Sequence, residues 1–459
     1  MQGHNSTNIE INKVKIRFTS KEMTSYGGFS LLAAFFEKIR LKEWIEQAIP
    51  IQELSPNSKG KYSKILVYLL MIYAGGSRFS HLVYMGSKQI MTELFGVNYL
   101  PVAGTTLTRL FRKMNSQTAV NELSEELWNR LTKLIPWGKI KEDWLTFDST
   151  VLERYGNQEG AKRGYNPKKK GRASHSPLLA FLNKSKYVVL IWNRSGNVIS
   201  HNNIVGFFTT SYERVCEKIK ITGVIGDSGF YTEEFIQLII SKGLHYIIAA
   251  RLYRPLQRTI YEQKGWEDIA EGIWGTEFKF KHRDTEERRY IVIRQHIKRR
   301  QHAMGKTLSL FSNETDIGDY RYSVWVTNLE DSVQQVWNKC RPRANDENTI
   351  KELKEDFALG GFSMKRFYST EAAMVIRVLI YNLFVLFRYE IFENKEKTQR
   401  LLTLRYKYFA LPAQLGGDGR SGVLRISVIN HALRAKLIYL FNRINQYVPA
   451  NTANCNAFG

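Results

Sequence analysis

The sequence predicts an α/β protein, with a helical region before the sheet and a β-rich insertion inside it. Short apolar runs ending in a carboxylate occur at Trp144–Asp148 and Gly223–Asp227, the mark of buried strands. Helical segments separate and follow them, and residues 251 to about 335 alternate with period two.

Residues 1–140 read as mainly helical, with apolar residues at helical spacing in Phe29–Ile49, Tyr62–Ala74 and Thr106–Met114. The basic TLTRLFRKM, expected as the last of these helices, suits a helix-turn-helix-like reader of DNA, although the same packing is common in modules that bind nothing. At Trp144 the pattern changes to a strand that ends on Asp148. Gly156–Ser176 is then a basic loop with almost no apolar content, expected to contribute no core. Strands are predicted at Tyr187–Trp192 and Val198–Ser200, a helix at Ser211–Lys220, and a strand from Gly223 to Asp227. Helix Thr232–Lys242 and strand His245–Ala250 follow, so one sheet collects the strands. Helices return at Asn345–Leu359 and from Thr370 to about Phe392, before a strand-like GVLRISV and a final helix. The predicted units are a helical 1–140, a core from 141–250 and 336–396, the insertion 251–335, and a C-terminal region 397–459.

The 459 residues carry 67 Lys plus Arg against 43 Asp plus Glu, a net charge of +24. With a pI near 9.7 this favours a polyanionic partner, nucleic acid first. A membrane protein is not expected: the most apolar stretch, Ala372–Phe392, contains Arg377, Asn382 and Arg388 and reads as a buried helix. The N-terminus shows no secretory apolar core, and Cys216, Cys340 and Cys455 are too scattered for a disulfide framework, so a reducing cytoplasm is the expected setting. The nine histidines show no zinc spacing, and His175 and His201 are read as structural.

Asp148 and Asp227 invite a metal reading, because α/β sheets put ligands at the C-terminal ends of strands and hard cations prefer carboxylate oxygens. The alternative is that each only caps the turn after it. A third carboxylate, Glu347, shares a helical stripe with Lys351 and Lys354, and Arg343 extends the line. Ile350, Leu353 and Phe357 form the adjacent apolar face, leaving Glu352 and Asp356 expected on the solvent side. An ordinary surface helix with i to i+4 ion pairs would show the same spacing.

Taken together these segments resemble the bacterial insertion-sequence transposases of the Y(2)R(3)E(6)K signature, whose catalytic domain is RNase H-like. Arg343, Glu347 and Lys354 match R(3)E(6)K, while Cys340 stands where the signature has tyrosine and cannot make the same hydroxyl contact with phosphate. TFDST, YGNQEGAKRGYNPKKKGR leading into SPLLAFL, GDSGF and ENTIKELKEDF appear in the family's order, over roughly residues 60–435. The resemblance implies a DDE triad of Asp148, Asp227 and Glu347 holding two Mg²⁺ ions, with Mn²⁺ able to substitute. It implies cleavage at terminal inverted repeats of double-stranded DNA and strand transfer by cut and paste, with a hairpin intermediate in some relatives.

Arg343 and Lys354 are then expected on phosphates, with Lys351 as a helper on geometry alone. The basic loop (Lys162, Arg163, Lys168, Lys169, Lys170, Arg172) and the cluster Arg294, Lys298, Arg299 and Arg300 are further expected DNA surfaces. Some relatives trap a flipped base on an aromatic residue near the end of the insertion, where Tyr322 and Trp325 stand here. Trp325 is equally readable as a strand core residue. A homodimer on DNA is expected, with residues 397–459 a candidate interface, and the protein is expected at the bacterial nucleoid in the cytoplasm. Two alternatives stay open: a catalytically inactive or recruited DNA-binding descendant, and a structure-specific nuclease on the same fold.

Overall fold

The computed structural model describes residues 9–16, 18–51, 60–84, 88–164, 166, 169–199, 201–281, 285–296, 316–317, 320–340, 343–362, 364–418 and 421–450. Side chains at 9, 10, 84, 316, 317, 343–347, 418 and 421 lie outside that description. The chain folds into two compact units. The first joins Met1–Lys113, Asp356–Phe362 and Leu386–Gly459, and the second joins Met114–Glu355 to Ser363–Val385.

In the first unit, helix Lys61–Tyr73 begins at Gly60, which has no capping side chain, and the carboxylate of Glu46 takes that part by accepting the Lys61 and Tyr62 N–H groups at 3.2 and 2.8 Å. Edge-to-face rings fill the interior, with Tyr68 on Phe362 at 4.9 Å and on Phe111 at 5.4 Å. The hairpin Ala413–Asp418 with Ser421–Ile426 adds Met23–Thr24 as a third strand.

The second unit is built on one large mixed sheet. Its strands are β1 (Glu142–Ser149), β2 (Leu178–Leu182), β3 (Val188–Trp192), β4 (Lys220–Gly226), β5 (His245–Ala249), β6 (Glu267–Ala270), β7 (Ile273–Lys281), β8 (Glu287–His296) and β9 (Tyr320–Thr327). They lie in the order β6-β7-β8-β9-β5-β4-β1-β2-β3, with Asp316–Ile317 paired onto β9. β1, β4 and β5 are parallel, and every other pairing along this order is antiparallel. The insertion therefore continues the central sheet through β9 on β5.

Its helices are α1 (Gln117–Leu131), α2 (Ile204–Glu213), α3 (Glu233–Ser241), α4 (Arg254–Glu262), α5 (Val333–Cys340), α6 (Arg343–Glu355) and α7 (Phe367–Ile391), whose residues from Leu386 on belong to the first unit. Sequence periodicity did not resolve α1, α4 or α5. Phe147 of β1 meets Phe207 and Phe208 of α2 and Phe235 of α3 at 5.9–6.1 Å on one face of the sheet. On the other, Trp144, Ile225, Ile247 and Ile291 form a cluster with Val333, Val336 and Cys340 of α5. α7 is long and apolar enough to cross a membrane, yet its apolar stretch is buried inside the protein. Asn382 within it accepts from the Val188 N–H and donates to the Val188 C=O, at 2.9 and 2.8 Å, so a side chain satisfies the outer edge of β3.

Candidate carboxylate site

β1 and β4 run side by side, and their register pairs Phe147 with Gly226. The next residues along each strand are Asp148 and Asp227, so the two carboxylates leave adjacent parallel strands at the same edge, with backbones about 4.8 Å apart. Side chains alternate along a strand, which puts Asp148 on the face of Trp144 and Asp227 on the face of Ile225. Trp144 and Ile225 belong to the cluster under α5. The two aspartates thus emerge on the face that α5 covers, and α6 follows α5 in the chain.

Each aspartate is followed by serine and accepts that serine's backbone N–H on Oδ1, at 2.6 Å in both cases. The shared contact fixes both carboxylates in one local geometry. Asp148 is half-buried and Asp227 exposed, so both reach solvent while anchored to rigid strands.

Glu347 lies in α6, one turn before the exposed Lys351, while Lys354 is half-buried. The side chains of Arg343 and Glu347 are outside the described residues, and so are Lys168, Lys298, Arg299 and Arg300. Among the described residues no three His, Cys, Asp or Glu side chains gather as a metal cluster, a set that leaves Glu347 out.

One face of α6 differs from expectation. Glu352 and Asp356 are both 5 % exposed, not solvent-facing. Asp356, just past the helix, pairs with Arg400 at 2.5 Å and accepts the Leu402 N–H at 3.1 Å. Positions 349, 352, 353 and 356 share a helical face, and polarity alone did not reveal that this face is packed. Cys340, at the signature's tyrosine position, is 5 % exposed within the apolar cluster.

The basic loop is also more structured than its composition predicts. Leu152–Glu153, Ala173–His175 and Lys162–Arg163 form a small sheet, and Asn166, Ser174 and His175 are buried. Backbone approach makes this possible, since a Cβ on Gly164 would lie 1.8 Å from the Gly196 carbonyl oxygen. His175 Nδ1 accepts from Arg154 Nε at 3.0 Å, which leaves Nε2 to donate to the Glu159 carbonyl at 3.0 Å. Burial and then the Arg154 charge push the imidazole down to about 4, so it is neutral near pH 7. Lys162, Arg163, Lys169, Lys170 and Arg172 stay exposed on this sheet and its turns.

In the insertion, Trp325 is half-buried on β9 and packs against the α5 cluster. Arg294 lays its guanidinium over Trp266 at 4.1 Å, Tyr320 at 4.9 Å and Trp274 at 5.3 Å. Sequence reasoning grouped Arg294 with its basic neighbours and missed this aromatic set, because the rings come from three separate strands and loops. It also passed over Tyr155, an exposed tyrosine at the start of the basic loop.

Asp148 and Asp227 thus stand at neighbouring ends of parallel strands in a mixed sheet. The chain belongs to the transposase DDE domain group 1 family, whose model matches residues 7–449. Among solved structures it is similar to that of the piggyBac transposase in a synaptic complex with hairpin DNA, determined by cryo-electron microscopy, at 11 % identity over 84 % of this chain and 82 % of that one, with a TM-score of 0.43. No curated protein matches the sequence.

Proposed function

We propose that this transposase cuts double-stranded DNA at the terminal inverted repeats of its element and joins the freed 3′-hydroxyl ends to target DNA. The observation that carries the reading is the register that aligns Asp148 with Asp227 at neighbouring strand ends. The order β3-β2-β1-β4-β5, with β2 alone running against the rest, supports an RNase H-like core. The R(3)E(6)K spacing of Arg343, Glu347 and Lys354 supports the bacterial insertion-sequence group and Glu347 as the third carboxylate.

The donor set fits hard divalent ions, since carboxylate oxygens are their preferred ligands. Asp148, Asp227 and Glu347 would hold two Mg²⁺ ions, which when bound activate the attacking oxygen and stabilise the leaving one. The chain's own part is to orient. The Ser149 and Ser228 N–H groups fix the carboxylates, and exposed Lys351 with the loop cations offsets phosphate charge. A water or 3′-hydroxyl oxygen bonds to phosphorus in line as the P–O3′ bond breaks, and no protein nucleophile is consumed.

The test is cleavage of the element's end sequences by purified protein with Mg²⁺ or Mn²⁺. Wild type is expected to nick at the repeat ends, whereas Asp148→Ala and Glu347→Ala bind the same DNA without cutting it. Normal cleavage by both variants refutes the triad, and binding without cleavage by wild type favours a DNA-binding descendant. Cutting that ignores the repeats favours a structure-specific nuclease.

A further inference from the structure

We propose that Tyr155 is a stacking platform for an unpaired base of the DNA strand led to Asp148 and Asp227, with Lys169 and Arg172 on the adjoining phosphates; this rests on the transposase reading above. Its location follows from the β1–β2 hairpin. Beyond the carboxylate edge, Thr150 N bonds to Pro177 O at 3.1 Å, Leu152–Glu153 pairs with Ala173–His175, and Arg154 N bonds to Ala173 O at 2.9 Å. The small sheet is therefore a direct extension of the strand that carries Asp148. Tyr155 follows Asp148 by seven positions, which caps their distance at roughly 25 Å, a few nucleotides of single strand.

The tyrosine is held but not buried. Its hydroxyl donates to Glu153 Oε2 at 2.9 Å and accepts from Lys169 Nζ at 2.8 Å, and the Lys169 ammonium lies 3.1 Å from Glu153. Arg172 sits over the ring at 4.5 Å, whereas Lys169, at 5.4 Å from the centroid, approaches from the hydroxyl end. One ring face is thus covered by a guanidinium, yet the residue is 68 % exposed, so the other face is open to solvent. An aromatic ring fixed at its tip and backed by a cation is pre-ordered, which lowers the entropy lost when a second flat group stacks on it.

The surroundings select that flat group. Lys162, Arg163, Lys170 and Arg172 are exposed on the same small sheet and its turns, in a chain of net charge +24, so the visitor is polyanionic. Bases of a duplex already stack on each other, whereas an unpaired base offers a free π face to any aromatic ring, whatever its sequence. The Lys169 charge is steadied by its hydrogen bond to Tyr155 and then by Glu153, which leaves it beside the ring where a neighbouring phosphate would lie.

The experiment titrates the full chain, without divalent metal, with a single-stranded oligonucleotide carrying 2-aminopurine. Wild type is expected to quench the probe. Tyr155→Ala should lose the quenching and bind roughly tenfold more weakly, while Tyr155→Phe, which keeps the ring but loses its tip contacts, keeps the quenching and binds at most about threefold more weakly. Tyr406→Ala, which removes another exposed tyrosine (74 %) in the first unit, should change neither. Should Tyr155→Ala not fold, Tyr155→Leu against Tyr155→Phe makes the same comparison. Absence of quenching in wild type, or equal quenching and affinity in Tyr155→Ala or →Leu and wild type, overturns the platform. No cleavage is involved, so a failure of the cutting assay bears on the transposase reading alone.

Discussion

β1 carries an aspartate at each end, and the two are used in opposite ways. Asp143, near the start, is 0 % exposed and accepts four hydrogen bonds, from the N–H groups of Trp144, Lys184 and Ser185 and from the Ser185 hydroxyl, at 2.7–3.0 Å. It ties the β2–β3 turn to β1. Asp148, at the other end, is half-buried at the strand edge next to the one that carries Asp227, and its next-residue N–H orients it. The same side chain is a fastener where the chain folds back over it and a candidate ligand where a parallel neighbour ends in another acid. What separates them is strand direction: β1 and β4 run the same way, so both put carboxylates at one edge.

If that division is right, activity and stability should separate cleanly between the two ends. The largest effect is expected from Asp148→Asn, with cleavage down at least about a thousandfold, worth roughly 4 kcal/mol in the barrier, and an unchanged urea midpoint. Asp143→Ala should do the reverse, lowering unfolding free energy by roughly 2 kcal/mol because one buried and three part-buried donors lose their acceptor, while residual folded protein still cuts. A cleavage loss in Asp143→Ala larger than its unfolded fraction would break the comparison.

Between the two ends lies a position that should affect both properties. Gly223 of β4 has no side chain because the Trp144 ring lies over it: a Cβ there would meet ring carbons at 2.5 and 2.7 Å and the His245 carbonyl at 2.7 Å. Gly223→Ala is expected to cost roughly 2 kcal/mol in urea unfolding and to reduce cleavage modestly by shifting β1 against β4. A neutral result would mean that the strand spacing is not set at this contact.

The smallest effect sharpens what makes a buried carboxylate tolerable. Glu371 on α7 is as enclosed as a core residue and receives the Asn193 N–H at 2.8 Å, and burial outweighs that bond, pushing it up to about 7. Between the ordinary value of 4.5 and 7 the folded chain keeps a proton that the unfolded chain has lost. Stability should therefore fall as pH rises through that window and level off above it. Glu371→Gln is expected to abolish this decline and to be more stable than wild type at pH 8 by on the order of 2 kcal/mol. Parallel stability-versus-pH curves for the two proteins would exclude Glu371 as the source.

Much of the carboxylate edge was legible beforehand. WLTFD and GVIGD read as strands ending in acid because apolar runs of that length between turn residues have few other solutions. The helix bearing Glu347 was equally visible. The faces of that helix were misjudged at Glu352 and Asp356, since a charged residue can be buried when a partner such as Arg400 comes from distant sequence. Tyr155 was overlooked for a similar reason: its neighbours Lys169 and Arg172 reach it only after the loop folds back into a small sheet.

The sequence by itself determined the strands that end on Asp148 and Asp227, the basic excess and the membership of the DDE transposases, because local periodicity and residue chemistry are written in consecutive positions. Only the tertiary structure decided that Phe147 lies opposite Gly226, that the insertion continues the central sheet through β9, and that Asp143 is buried while Asp148 is not. Those are matters of register and burial between segments far apart in the chain, set by how whole faces pack together.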